Sequence, residues 1–150
     1  MTNILDLKKQ LEEKYPQIKF LDISKFDNLI LEFSTVFQKD YFYLIFSTYD
    51  CTLIDISAQL KDLSGPHYFW HNVFNLNSGH NKNTLNQFFE TLDIITSHNT
   101  RIIQKRNIIT QSFDLQYYDD IFWKSHYQNN GFIFSKLIFP ATKARKMIYE

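Results

Sequence analysis

Tyr41-Phe42-Tyr43-Leu44-Ile45-Phe46-Ser47-Thr48, then Tyr49-Asp50, then Cys51-Thr52-Leu53-Ile54-Asp55-Ile56-Ser57 is the stretch whose reading decides the fold. Two runs of β-branched and aromatic residues flank a short polar break, which predicts two antiparallel strands joined by a tight turn at Tyr49-Asp50. Tyr41 to Phe46 is apolar at both strand parities, which predicts an interior strand covered on each side. A lone hairpin is not stable in water, so the rest of the chain must supply neighbours and a cover. Asp55 is the odd member. It interrupts Ile54-Asp55-Ile56, and it either points to water or, if buried, needs a partner or a raised pKa.

Upstream, Ile18-Lys19-Phe20-Leu21-Asp22-Ile23 and the alternating Leu29-Ile30-Leu31-Glu32-Phe33-Ser34 read as two further strands, with Lys25-Phe26-Asp27-Asn28 as the turn between them. Such short connections demand antiparallel neighbours, hence a meander. Before them, residues 3–15 carry Ile4, Leu7, Leu11 and Tyr15 at helical spacing. Asn3 serves as N-cap, Asp6 sits in the first turn and Pro16 stops the helix.

Downstream, Ala58 to Ser64 reads as a short helical turn before Gly65-Pro66, and His67 to Phe74 as a strand or an irregular aromatic segment. Residues 83–98 form the second helix, capped by Asn83 or Thr84, with Leu85, Phe88, Phe89, Leu92 and Ile95 as its stripe. Arg101 to Arg106 is extended. Ile109 to Tyr118 alternates, Asp119-Asp120 turns the chain, and Ile121 to Tyr127 returns. Gln128-Asn129-Asn130-Gly131 is a hairpin signal before Phe132 to Phe139. Asp120 to Gln128 reads as strand, with a helix ending at Gly131 as the alternative. The expected architecture is α+β: one domain over 1–150, an antiparallel meander sheet packed against an N-terminal helix (about 3–15) and a central helix (about 83–98), and a second meander in the C-terminal third.

Composition narrows the function classes. With 44% hydrophobic and 21% charged residues, the chain has material for a real core. No apolar run reaches the roughly 18–20 residues of a membrane helix, and no secretory signal precedes the first helix. The single cysteine, Cys51, fits a cytoplasmic location and a packed thiol. Only three Gly are present, all isolated, so neither a P-loop nor a dinucleotide fingerprint can be written. His67 and His71 lie about 13 Å apart if both sit on a strand, too far for one metal. Tyr68 stands where a His-Glu-x-x-His motif needs Glu. No Gly-x-Ser-x-Gly elbow exists. No catalytic residue, cofactor or metal is therefore expected.

Fifteen Phe and nine Tyr exceed what such a core absorbs, so some aromatic rings are expected at the surface. Residues 1–75 carry a net charge of −3 and residues 76–150 a net +3, which separates an acidic from a basic half. Tyr, Trp and Arg are the usual anchors of protein interfaces. On that basis the candidate partner-binding residues are Tyr68, Trp70 and His71 in the aromatic segment, Arg101, Lys105 and Arg106 after the second helix, and Tyr118, Asp119, Asp120 and Trp123 around the later turn. Aromatic and basic residues together also suit stacking of single-stranded bases. The neutral total and the missing RNP pattern argue against nucleic acid.

No motif identifies a family. In general character (small, cysteine-poor, rich in Phe, Ile, Asn and Lys, without an active-site signature) the chain resembles bacterial proteins that bind and neutralise a toxin, such as the immunity proteins of contact-dependent inhibition. That resemblance implies a non-enzymatic protein that occludes a toxin domain. The alternative is a nucleic-acid-binding domain or small enzyme using the His67–His80 region or the basic C-terminal third.

Overall fold

The computed structural model describes residues 4–38, 40–61, 68–77, 81–106, 110–132 and 146–149; of these, the side chains of 68, 69, 81, 106, 110, 111, 128–132 and 146–149 lie outside the description. The fold is α+β. Two helices, α1 (Ile4–Lys14) and α2 (Asn81–Ser97), accompany nine strands among the described residues. The first sheet runs β1 (Leu21–Asp22), β2 (Leu29–Phe33), β3 (Tyr41–Ser47), β4 (Leu53–Leu60) and β5 (Tyr68–Asn75), an antiparallel meander in chain order. The second contains β6 (Thr100–Arg106), β7 (Thr110–Tyr118), β8 (Trp123–Phe132) and β9 (Lys146–Tyr149) in the order β8-β7-β6-β9, also antiparallel.

Strand parity builds the core. One face of the first sheet presents Leu29, Leu31, Phe33, Tyr41, Tyr43, Ile45, Ile54, Ile56, Ala58, Trp70 and Phe74, all buried in one cluster with Leu7, Leu11 and Tyr15 of the first helical segment and Phe88, Leu92 and Ile95 of α2. Each fully buried Leu contributes roughly 1.5–3 kcal/mol over an exposed one. Both helices therefore cover that face. The opposite face bears Ile30, Phe42, Phe46 and Leu53, all half-buried, and no described element packs in a layer over them. Among the described residues, the helices cover one side of Tyr41 to Ser47; on the other side Leu44 and Ser57 are also buried.

A buried polar knot joins the sheets. Gln38 Nε2 donates to Thr100 Oγ1 at 2.6 Å, Tyr43 OH lies 3.4 Å from the same oxygen, and Thr35 donates to Gln38. The Trp70 indole of β5 donates to the Tyr127 carbonyl of β8 at 3.4 Å. His126 is the extra residue where the β7–β8 register shifts. Its Nε2 lies 2.9 Å from Thr91 Oγ1 of α2. That hydroxyl already donates to the Gln87 carbonyl at 2.9 Å, so the ring must donate from Nε2. Burial lowers the His126 pKa and keeps the ring neutral.

Outside the β7–β8 turn, the structure differs from the expected elements at five places. Ala58 to Leu60 continue β4, because Tyr41 to Tyr43 pair with them, and 62–64 lie outside the described residues. Of the first expected strand, Leu21–Asp22 form the ladder with β2, and the Ile23 amide adds one bond to the Ile30 carbonyl. The opening turn spans Thr48 to Thr52, with Asp50 accepting from the Thr48 and Thr52 hydroxyls and the Thr52 amide, and with Cys51 at φ 53°. The second helix begins at Asn81, which places Thr84 inside its first turn rather than at the cap. Gln128 to Gly131 form no turn; they pair with Gln111 to Asp114, so β8 is as long as β7 requires. Residues 133–139, read as a returning strand, lie outside the described residues, as do 65–67 and 78–80.

Candidate functional site

The β7–β8 hairpin and the outer face of the second sheet gather the largest share of the expected site residues. Arg101 of β6 lies opposite Gln116 of β7, which lies opposite Ser125 of β8, and Tyr118 lies opposite Trp123. Parity therefore puts Arg101, Asp114, Gln116, Tyr118, Trp123 and Ser125 on one face. The Arg101 guanidinium carbon sits 4.0 Å from the centre of the Trp123 ring. Its Nε and Nη2 donate to Gln116 Oε1 at 3.1 and 3.0 Å. Gln116 Nε2 donates to Asp114 Oδ2 at 2.7 Å, and Ser125 Oγ donates to Asp114 Oδ1 at 2.5 Å. The Tyr118 and Trp123 rings meet at 5.4 Å. A cation stacked on an indole and held by an amide is fixed in two directions, so Arg101 is presented at low entropic cost.

The turn beyond is pinned by Asp119. Its Oδ1 accepts the Ile121 and Phe122 amides at 3.2 and 2.9 Å, and its Oδ2 pairs with Lys124 Nζ at 2.5 Å. The Lys124 hydrogen bond and these amides hold the Asp119 carboxyl down to about 2. Asp119 is thereby a turn-fixing residue, and Asp120 beside it takes φ 72°. Four residues, Asp119 to Phe122, make the turn rather than the two expected, and Ile121 and Phe122 are lifted out of the strand to the tip, 77% and 54% exposed. The stability from Asp119 is present above its ordinary 3.8 and is lost as pH falls through about 2. In an acid titration followed by carboxyl carbon shifts, Asp119 is expected to show a midpoint of about 2, rising toward 3.8 in Lys124→Met. A midpoint near 3.8 in the parent chain would contradict this account of the turn.

Other expected site residues lie apart. Trp70 is fully buried between the sheets and the helices, so its place in a surface site is corrected: it is core. Lys105 is four residues along β6 from Arg101, about 13 Å away, and exposed. Tyr68 and Arg106 are placed only by their backbones, opposite Gln59 and Gln111. His71 is on the outer face of the first sheet, its Nδ1 4.0 Å from Asp55 Oδ1. Among the described residues no group of three or more His, Cys, Asp or Glu could hold a metal. A separate open cleft of about 680 Å³ lies between α1 and the two hairpin turns of the first sheet, rimmed by exposed Leu5, Phe26 and Tyr49.

Sequence reading missed Ile121 and Phe122, which it placed inside a strand. The signal lay in the third residue after Asp119-Asp120: Trp123, not Ile121, pairs with Tyr118. No helix among the described residues is long and apolar enough to cross a membrane. Fold and site together define an α+β chain that carries an aromatic hairpin turn, fixed by Asp119, at its surface. The chain matches no protein-family model, no curated protein and no solved structure, so its functional reading rests on its own residues.

Proposed function

We propose that the chain is a non-enzymatic binding protein of the cytoplasm that engages another protein through the β7–β8 tip. The observation that carries this is the exposure of Ile121 and Phe122 on a turn fixed by Asp119, beside the Arg101–Trp123 stack. Apolar side chains held in water on a rigid element gain most from burial against a partner, and Arg and Trp next to them are interface anchors. The toxin-neutralising form, in which the tip occludes a bacterial toxin domain as an immunity protein does, draws its support from the resemblance of type. A base-stacking role is less well served, because the Arg101 guanidinium already covers one face of Trp123.

Pull-down from native lysate, with the neighbouring gene product co-expressed, tests the reading. The parent chain is expected to recover a stoichiometric partner. Ile121→Ser combined with Phe122→Ala is expected to lose it at least tenfold, about 1.4 kcal/mol, with thermal stability unchanged. Recovery of no stoichiometric partner, or equal recovery by the variant, overturns it.

A further inference from the structure

The outer face of the first sheet carries a second feature that the hairpin tip does not explain. The pairing registers align Ile30, Phe46, Asp55 and Val73 in one row across β2, β3, β4 and β5, and Glu32, Leu44, Ser57 and His71 in the next. Asp55 thus sits between Phe46 and Val73, an acid in an apolar row. Among the described residues its buried Oδ1 accepts no hydrogen bond, and His71 Nδ1 is 4.0 Å away, beyond hydrogen-bond range. Glu32, in the adjoining row, makes no hydrogen bond or ion pair among the described residues. Val73 is 45% exposed, and Ile30, Phe46 and Leu53 are half-buried.

A half-buried carboxylate without a donor costs free energy; its Oδ1 is out of reach from solvent, but the Asp55 side chain is 24% exposed, so a donor brought from outside can meet the carboxyl there. A half-buried carboxylate set between Phe46 and Val73, with Glu32 in the adjoining row, is complementary to a surface that is apolar with a cation at its centre. We propose that this face docks a protein partner presenting an arginine or lysine side chain, ringed by apolar residues, over Asp55. The inference shares with the reading above only the premise of a protein partner; the face and the chemistry differ. Burial of Asp55 raises its pKa, and His71 opposes that rise. A docked guanidinium would lower it and hold the carboxylate charged.

The test is an NMR titration of the nitrogen-15-labelled chain with acetyl-Leu-Arg-Leu-amide and with its citrulline counterpart, which keeps the shape and loses the charge. The arginyl peptide is expected to give saturable shifts at the amides of Phe46, Asp55 and Val73. Those shifts should weaken at least fivefold with citrulline or in Asp55→Asn, and persist in Phe122→Ala. Equal shifts from both peptides, shifts confined to Asp27 or Asp120, undiminished shifts in Asp55→Asn, or no saturable shift each overturn the proposal. Failure of the hairpin reading would leave these signals intact, because it is scored by Ile121 and Phe122 on the other sheet.

Discussion

Trp70→Ala is expected to destabilise the protein by about 3–5 kcal/mol, measured by urea unfolding with linear extrapolation. The indole is fully buried, meets the Tyr127 ring edge-on at 6.1 Å, and donates its N–H to the Tyr127 carbonyl. It is thus the side chain through which β5 of the first sheet grips β8 of the second. Truncation removes the largest fully buried side chain and opens a cavity where the sheets meet, and close-packed surroundings collapse into such a space only in part. Folded domains hold only about 5–15 kcal/mol in total, so the variant should stand near the unfolding threshold. Trp70→Phe should lose less, because most of the ring volume stays while the hydrogen bond goes. A loss below about 1 kcal/mol for the alanine variant would mean that the ring does not join the sheets. Loss of partner binding at full stability would return Trp70 to the surface role that its composition suggested.

That contrast between Trp70 and Trp123 shows where the sequence was legible and where it was not. The opening hairpin could be read because two apolar, aromatic and β-branched runs flank the polar break at Tyr49-Asp50, and Leu31 and Phe33 alternate with Glu32; the antiparallel meander follows from short connections alone. The two helices were legible from the spacing of Leu7 and Leu11 and of Phe88, Leu92 and Ile95. In β5 the pattern misleads. Its core face contains Asn72 and its open face contains Val73, so polarity runs opposite to burial there. Nothing local says which Trp is inside. Asn129-Asn130-Gly131 failed for a related reason: Asn-Gly permits a turn, but ladder pairing with Gln111 to Phe113 extends the strand through it. Local propensity lost to register, which depends on residues sixteen or more positions away. Half of the candidate surface, Arg101, Tyr118, Asp119 and Trp123, was named from residue type; its geometry required the β6–β7–β8 pairing.

Asp55→Asn is expected to stabilise the protein at neutral pH by about 1–3 kcal/mol, and to do so only where the parent carboxyl is charged. Burial pushes the Asp55 pKa above its ordinary 3.8, so the folded state prefers the neutral acid. For a group shifted in this direction, the favourable contribution is complete below 3.8 and is lost as pH rises through the folded value. As pH rises through the folded value, the parent takes on the cost of an ionised carboxylate whose Oδ1 lacks a donor among the described residues. Asparagine imitates the protonated acid in size and neutrality and removes the charge-dependent part of that cost at every pH. The stability difference between variant and parent should accordingly be large at pH 7 and shrink toward zero below 3.8, a window in which Asp22 and Asp119, both held to about 2, still support the fold in each protein alike. Unfolding free energies at pH 3.5 and pH 7 decide the matter; a difference equal at both, or a loss at pH 7, rules out the buried-charge account. If the same substitution that stabilises the fold also abolishes capture of the arginyl peptide, then Asp55 is retained against stability for what it binds, the trade expected of a site rather than of a scaffold residue.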